Sequence, residues 1–151
     1  EEPAFLSDLG GHAGAVLQVS WAPPEAGVLL ASVGEDGCVI IWGRRLKPGD
    51  WQIVHREGLE RHGAVRAVAW APAEHGIVVA CASADGSVNV VAHGGALRSG
   101  ELTVEHHWQL QTLQAHCGQA NAVSWATPPA LSDGSLGALG LAGARLATAG
   151  D

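Results

Sequence analysis

Hydrophobic residues in the first part of the chain follow two patterns, and each is typical of a β-strand. Residues 15–21 alternate, with Leu17, Val19 and Trp21 on one face, as in a strand that covers a core on one side. Residues 28–33 instead form an apolar run, which predicts a strand buried on both faces. We therefore expect short strands rather than helices in this region.

A turn and two further strands complete this first unit. Glu35, Asp36 and Gly37 predict a hairpin turn, since Asp-Gly tolerates the positive φ angles of tight hairpins. Residues 38–42 then return as a third strand, and residues 51–55 make a fourth. Four strands in about 50 residues are one blade of a β-propeller, so the sequence predicts an all-β fold.

The same unit occurs three times along the chain. Each copy begins with a histidine, and these residues lie 50 and 54 positions apart: His12, His62 and His116. Each copy also has a tryptophan at the end of its first strand, at spacings of 49 and 55: Trp21, Trp70 and Trp125. This agreement predicts about three four-stranded blades at residues 11–57, 61–114 and 116–151, the last incomplete, within one propeller fragment over residues 1–151.

Residues within the blades favour the WD-repeat type. A period of about 50 residues is also typical of kelch blades, whereas WD repeats usually have about 40–45. WD blades, however, contain a buried relay of histidine, serine or threonine, aspartate and tryptophan. The first unit supplies the complete set: His12, Ser32, Asp36 and Trp42. Because a buried polar group without a partner costs about 1–3 kcal/mol, we assign these residues a structural role.

The second unit offers a shorter relay. It keeps His62 and Asp85, whereas Cys81 and Val91 stand in the other two places. We expect the two retained residues to have the same structural role.

The third unit is cut before its relay is complete. It has His116 and Thr148, but the chain stops where the aspartate should follow, because Asp151 aligns with Glu35. Residues 128–143 are additional in this unit and are rich in Gly, Ala and Leu. We expect them to form a surface loop between two strands.

The charge of the chain argues against a nucleic-acid partner. Fifteen acidic and eight basic residues give a net charge of −7, and Lys47 is the single lysine, whereas binding to phosphates needs clustered Lys and Arg.

Three cysteines without C-x-x-C spacing favour a reducing compartment. No apolar run approaches the roughly 20 residues that cross a bilayer, and residues 1–5 lack the basic start of a signal peptide. We expect a soluble intracellular protein.

Candidate chemical groups give little support for a metal, a cofactor or catalysis. His106 and His107 are adjacent, but neighbours on a strand point to opposite faces and cannot chelate together. Cys81 and Cys117 could act as nucleophiles beside a histidine, yet cysteines in apolar strands are usually inert. We therefore predict no catalytic residue, no metal and no cofactor. A propeller hydrolase, the alternative from another class, needs carboxylate and histidine groups that converge at the central channel.

Two further sets of residues each have a functional and a structural interpretation. Gly134, Gly137 and Gly140 are regularly spaced, but they lack the Lys-Ser/Thr and the strand-to-helix context of a phosphate loop, so we expect a flexible loop. Trp51 and Trp108 open the outermost strands, where a tryptophan either anchors a partner or packs between neighbouring blades. We favour packing for both tryptophans.

Longer stretches of the chain resemble the Sec-thirteen family, the small WD-repeat propeller subunit of the COPII outer coat. The resemblance covers residues 9–151 and rests on GHAGAVLQVSWAPPEAGVLLAS, EDGCVIIW, WAPAEHGIVVACASADGSVNVV and QAHCGQANAVSWATP. Two features go beyond generic WD repeats: the W-A-P-x-x-x-G link at Trp21 and Trp70, and N-A-V-S-W at residues 121–125 with a loop insertion before the next strand. The second blade's missing tryptophan suits this family, whereas residues 94–107 depart from it.

This resemblance implies an incomplete, six-bladed open propeller that accepts a blade from a long helical partner, the large solenoid subunit of the COPII outer coat. It further implies a non-enzymatic scaffold in endoplasmic reticulum to Golgi transport. Such a scaffold is cytoplasmic, peripheral at the endoplasmic reticulum and at COPII vesicles, and touches the membrane only through the coat. Relatives also serve in the nuclear pore scaffold, with nucleoporins as partners, and in a nutrient-signalling complex, so both assemblies stay open as alternatives. Because the chain resembles the second, third and part of the fourth blade, whereas the slot lies between the first and sixth, we assign no partner-contact residues.

Overall fold

Short β-strands make up most of the structure, a computed structural model that describes residues 7–44, 51–94, 107–126 and 144–151. The strands of these residues, in chain order, are β1 (Val16–Trp21), β2 (Leu29–Gly34), β3 (Cys38–Arg44), β4 (Trp51–Gly58), β5 (Val65–Trp70), β6 (Val78–Ser83), β7 (Ser87–His93), β8 (Trp108–Gln114), β9 (Ala120–Trp125) and β10 (Leu146–Gly150). Short 3-10 turns lie at Pro24–Ala26, Glu60–His62 and Ala73–His75. Within the described ranges, no helix is long and apolar enough to cross a membrane.

The strands form antiparallel sheets in which each strand pairs with its neighbour in the sequence. The first sheet has the order β1-β2-β3-β4, the second sheet has the order β5-β6-β7-β8, and the third sheet contains β9 and β10. The short turn between β2 and β3 and the one between β6 and β7 suit this order, because antiparallel neighbours can be joined by tight turns whereas parallel neighbours need a long crossover. The predicted all-β fold of four-stranded units is confirmed, although β4 extends to Gly58, beyond the predicted end at residue 55.

Both four-stranded sheets have the same corner between their first two strands. The W-A-P sequences at the ends of β1 and β5 lead into the 3-10 turns Pro24–Ala26 and Ala73–His75. Gly27 and Gly76 close these turns with φ angles of +87° and +81°, a conformation that favours glycine because other residues carry a Cβ. The W-A-P-x-x-x-G pattern therefore encodes the corner that sends the chain from the first strand of a sheet into the second.

The main hydrophobic core lies between the first and second sheets. The first sheet contributes side chains of β2 and β3: Leu29, Ala31, Val33, Val39 and Ile41. The second sheet contributes side chains of its first three strands: Val65, Val68, Trp70, Val79, Cys81 and Val91. Two smaller clusters, built mainly from alanine and valine, join the second sheet to the third. The sheets are thus stacked face to face, with their apolar side chains between them.

Two exposed stretches differ from the predicted burial. The apolar run at residues 28–33 is mostly buried from Leu29 onward, but Val28 is 51% exposed because β2 begins only after it. The apolar face of β1, which carries Leu17, Val19 and Trp21, is also exposed. No sheet of the described residues packs against this face, although its alternating pattern is that of a strand covering a core.

Candidate functional site: polar relays and inter-sheet contacts

The first sheet carries a continuous hydrogen-bonded relay of four side chains. Trp42 Nε1 donates to Ser32 Oγ at 2.8 Å, and Ser32 Oγ lies 2.7 Å from His12 Nε2. His12 Nδ1 lies 3.0 Å from both carboxylate oxygens of Asp36. Because a carboxylate only accepts hydrogen bonds, Nδ1 carries a proton, and in the neutral ring Nε2 is then the acceptor of the serine hydroxyl. The structure thus brings together all four residues that the sequence placed in this relay.

This relay fastens the loop before β1 to the turn between β2 and β3. Asp36 also accepts hydrogen bonds from the backbone N–H groups of Ala13, at 2.9 Å, and of Cys38, at 3.2 Å. A Cβ on Gly11 would lie only 2.8 Å from the indole ring of the relay. The glycine therefore lets the loop lie directly on the tryptophan, while the following histidine reaches the aspartate.

Hydrogen bonds stabilise the charged form of Asp36. Burial raises the pKa of this carboxyl, but the hydrogen bonds from the Ala13 N–H, the His12 ring and the Cys38 N–H together outweigh burial and hold the pKa below its ordinary value. The carboxylate is therefore charged at neutral pH and acts as the acceptor on which the loop and the turn converge.

The second sheet has a shorter and more open relay. His62 Nδ1 lies 2.6 Å from Asp85 Oδ2, and Asp85 Oδ1 accepts the N–H of Ser87 at 2.9 Å. The Asp85 side chain is 38% exposed, against 7% for Asp36. Burial raises the pKa of Asp85, but the hydrogen bonds from Ser87 and His62 outweigh it, so the pKa is lowered overall. With cysteine and valine in the other two places, this relay consists of one histidine–aspartate pair.

We expect the chain to lose stability as the pH falls through about 4. The pKa values of Asp36 and Asp85 are lower in the folded chain than their ordinary values. As the pH falls, the unfolded carboxyls bind protons first, so unfolding becomes more favourable; above the ordinary aspartate range this stabilisation is fully present. Denaturant unfolding between pH of about 6 and about 3 measures this decline. A decline as steep in the Asp36→Asn variant as in the unsubstituted chain would contradict the role of this carboxylate.

A further polar cluster, which the sequence did not predict, lies inside the second sheet. Asn89 is fully buried, and its Nδ2 donates to Ser83 Oγ at 3.1 Å and to Ser87 Oγ at 3.2 Å. Thr112 Oγ1 donates to Asn89 Oδ1 at 2.7 Å. An asparagine among the valines of β7 is the local signal, because a buried amide needs partners. Ser87 lies on β7 itself, whereas Ser83 and Thr112 lie on the neighbouring strands β6 and β8, so only the strand register identifies these two.

The third sheet contains the beginning of the same relay. His116 Nε2 lies 2.9 Å from Thr148 Oγ1, which repeats the histidine–serine contact of the first sheet. The Asp151 N–H donates to the Gln119 carbonyl at 2.9 Å, and this bond is the counterpart of the one made by the Glu35 N–H in the first sheet. Asp151 therefore stands in the place of Glu35, and the third sheet holds the histidine and the threonine of a relay.

Tryptophans at the ends of the inner strands join each sheet to the preceding one. Trp70 Nε1, on β5, donates to the backbone oxygen of Ser20, on β1, at 2.9 Å. Trp125 Nε1, on β9, donates to the backbone oxygen of Ala69, on β5, at 3.0 Å. Ser20 and Ala69 each directly precede the tryptophan of their own sheet, so both junctions contain the same bond. The regular spacing of the tryptophans was visible in the sequence, but the acceptors, which lie on another sheet, were not.

The two tryptophans that open the outermost strands have different surroundings. The Trp108 ring stacks on His55 with centroids 4.5 Å apart and meets His93 edge-on at 5.0 Å. Because His55 belongs to β4, Trp108 packs between the first and second sheets. Trp51 lies 5.8 Å from Trp21, centroid to centroid, beside the exposed face of β1.

The cysteines divide into two buried thiols and one exposed thiol. Cys38 and Cys81 are buried, whereas Cys117 is exposed, and burial is the main cause that raises the pKa of both buried thiols. A buried thiol with a raised pKa stays protonated and is a poor nucleophile.

In the part of the chain that the structure describes, no group of three or more His, Cys, Asp or Glu side chains is placed to hold a metal ion. The predictions for His106 and for residues 128–143, including their glycines, lie outside the described residues.

Several known proteins are similar to this chain. The family described as WD domain, G-beta repeat matches residues 4–43 and 52–91, which together are more than half of the chain. "Protein transport protein SEC13" of Yarrowia lipolytica is 47% identical over 132 residues, which cover 87% of this chain and 39% of that protein. "Protein SEC13 homolog" of Dictyostelium discoideum is 45% identical over 56 residues, 37% of this chain and 18% of that protein. The chain thus spans well under half the length of these relatives.

Proposed function

Because the chain belongs to the WD domain, G-beta repeat family and is similar to SEC13 proteins over most of its length, we propose that it is part of a structural scaffold subunit of the COPII vesicle outer coat. In this role it serves protein transport from the endoplasmic reticulum to the Golgi. The observation that carries the proposal is the 47% identity to the Yarrowia lipolytica protein over 87% of the chain. The resemblance to the Sec-thirteen family, predicted from the W-A-P-x-x-x-G and N-A-V-S-W motifs, is confirmed by the same match.

The arrangement of the polar side chains suits a non-enzymatic scaffold. His12 is paired with Asp36 and His62 with Asp85, so these ionisable groups satisfy one another within a sheet. Groups engaged in this way hold loops and turns in place and contribute to the fold. Packed side chains and indole–carbonyl bonds join the neighbouring sheets. These contacts favour a rigid binding surface over the alternative of a propeller hydrolase.

The partner in this proposal is the large helical solenoid subunit of the outer coat. It would donate a blade by β-augmentation, in which main-chain hydrogen bonds join an added strand to an exposed sheet edge. An edge strand presents unpaired N–H and C=O groups and is a ready template for such pairing. The assembled protein would act in the cytoplasm at the endoplasmic reticulum and at vesicles, and would touch the membrane only through the coat.

Purification of the natural-length protein from cells, with identification of the proteins that come with it, tests this proposal. We expect a large helical solenoid protein in a near-stoichiometric amount, and we expect the tagged protein at endoplasmic reticulum exit sites. A closed WD-repeat propeller that carries the same tag controls for non-specific capture. Recovery only as a partner-free closed propeller would overturn the proposal. Recovery with nucleoporins and localisation at the nuclear rim alone would overturn the coat assignment in favour of the nuclear pore.

A further inference from the structure

The outermost strand of the second sheet, β8, has a regular main chain along its outer edge. It pairs with β7 over its whole length without a shift in register. Beyond one end of this pairing, the Gly94 N–H donates to the His107 carbonyl, and beyond the other end the Ala115 N–H donates to the Gly86 carbonyl. Because hydrogen-bonded and non-hydrogen-bonded pairs alternate in an antiparallel ladder, every second residue of β8 turns its N–H and C=O groups away from β7. These residues are called the β8 edge below: Trp108, Leu110, Thr112 and Gln114.

No strand of the described residues pairs with the β8 edge. β8 is the last strand of the second sheet, which has the order β5-β6-β7-β8. The first and third sheets stack on the two faces of this sheet, so a further sheet beyond either of them would not cover the edge. The β8 edge also lies well inside the chain, between β7 and β9. Its unpaired N–H and C=O groups are therefore a property of the second sheet itself, and such a row is a template for an added strand.

The equivalent strand of the first sheet, β4, is protected against such pairing. Its register shifts beside Val54, where the pairing with β3 passes from His55 to Ile53. Its sequence also contains ionisable side chains at three successive positions: His55, Arg56 and Glu57. Bulges and charges are the features that keep edge strands from pairing with other chains. By contrast β8, with the sequence WQLQTLQ, has no register shift, no charged residue and no proline.

We propose that β8 is a dimerisation strand, and that the β8 edges of two copies pair antiparallel about a two-fold axis to join their second sheets into one continuous sheet. With the axis at Gln111, which lies at the middle of the strand, Trp108 of one copy is opposite Gln114 of the other. Leu110 is then opposite Thr112. In this register every outward-facing N–H and C=O group of both edges has a partner. This inference goes beyond the coat function and does not rest on it.

A second copy of the same strand suits the β8 edge in charge and in symmetry. Like charges directly opposite each other destabilise a pair of strands, and a chain with a net charge of −7 risks such contacts wherever it meets itself. β8 carries no charged residue, so self-pairing avoids this cost, whereas a partner of opposite charge would find nothing to complement on this strand. At the axis, Gln111 faces its own copy, and two amides can each donate to and accept from the other. The edge is thus complementary to itself, as a two-fold interface requires.

Two charged variants at one position test the dimer in the natural-length protein. Gln111→Lys and Gln111→Glu each place like charges opposite each other at the two-fold axis. The position is polar and only half-buried, so circular dichroism should show retained folding. In sedimentation equilibrium at concentrations up to about 1 mM, the unsubstituted protein should form dimers, and each variant should raise the dissociation constant at least about fivefold. Gln119→Lys, the same change at an exposed loop residue, is the matched control and should dimerise normally.

An equimolar mixture of the two charged variants identifies the strand and its register. A lysine of one copy then faces a glutamate of the other, so the mixture should dimerise with a dissociation constant within about twofold of that of the unsubstituted protein. This recovery separates a lost contact from a lost fold, because an unfolded variant would not recover on mixing.

Three results would each overturn the proposal. The unsubstituted protein could stay monomeric, including the case in which its β8 edge captures only a different protein. Gln111→Lys could dimerise as tightly as Gln119→Lys. The mixture of the charged variants could dimerise no more tightly than either variant alone.

Discussion

Replacing Asp36 with alanine should lower the free energy of unfolding by about 2–4 kcal/mol. The carboxylate accepts hydrogen bonds from the His12 ring and from the N–H groups of Ala13 and Cys38. Alanine leaves these donors without an acceptor. Water can reach the exposed Ala13 N–H, but the His12 side chain is only 5% exposed, and a buried donor that loses its partner bears the full cost of its desolvation. Denaturant unfolding at neutral pH measures the loss as a shift of the midpoint at constant slope.

Asp85→Ala is the matched control for this prediction. Asp85 pairs with His62 in the same way but is 38% exposed, so water can replace the lost hydrogen bonds. We expect a loss of about 1 kcal/mol or less. Equal losses in the two variants would contradict the view that burial determines the contribution of a relay. An unchanged midpoint for Asp36→Ala would show that the relay does not stabilise the fold.

Replacing Trp70 with alanine should cost about 3–5 kcal/mol, as is usual when a large aromatic side chain is removed from a core. Trp70 is 9% exposed, lies in the cluster between the first and second sheets, and donates to the backbone oxygen of Ser20. The variant loses this packing and leaves a cavity between two sheets. The cost should appear both in chemical denaturation and in a lower melting temperature.

Trp21→Ala removes the same residue type from the equivalent position of the first sheet. Trp21 is 60% exposed in this chain, so the change should cost less than about 1 kcal/mol. Comparing the losses in the two variants separates the stability that Trp70 gives to the junction between two sheets from any general effect of removing a tryptophan from the first strand of a sheet. A loss as large as that of Trp70→Ala would show that Trp21 is packed within the monomer.

Local patterns in the sequence predict the strands and the first relay well. The Asp-Gly turn, the apolar run at residues 28–33 and the W-A-P corners are short-range features that act within one sheet. The four relay residues lie at the head of the blade, on two neighbouring strands and in the turn between them, so their spacing along the chain is constrained. All four come together in the structure: His12, Ser32, Asp36 and Trp42.

Contacts that cross strands or sheets are less visible in the sequence. The partners of Asn89 include Thr112, which comes to it from the next strand only through the register of β7 and β8. The backbone oxygens of Ser20 and Ala69 accept hydrogen bonds from indoles of a different sheet. Every residue has a backbone oxygen, so the residue type does not indicate which one is the acceptor. Exposure is equally hard to predict, because Val19 and Val68 have the same local pattern and differ only in whether a sheet lies against them.

Hydrogen exchange of the indole N–H groups, followed by NMR on dilute monomer, tests the central claim most directly. The claim is that an indole–carbonyl bond joins neighbouring sheets at two junctions, from Trp70 to Ser20 and from Trp125 to Ala69. The account predicts slow exchange for Trp70 and Trp125, which donate to Ser20 and Ala69, and fast exchange for Trp21. Equal exchange at all three tryptophans would contradict it.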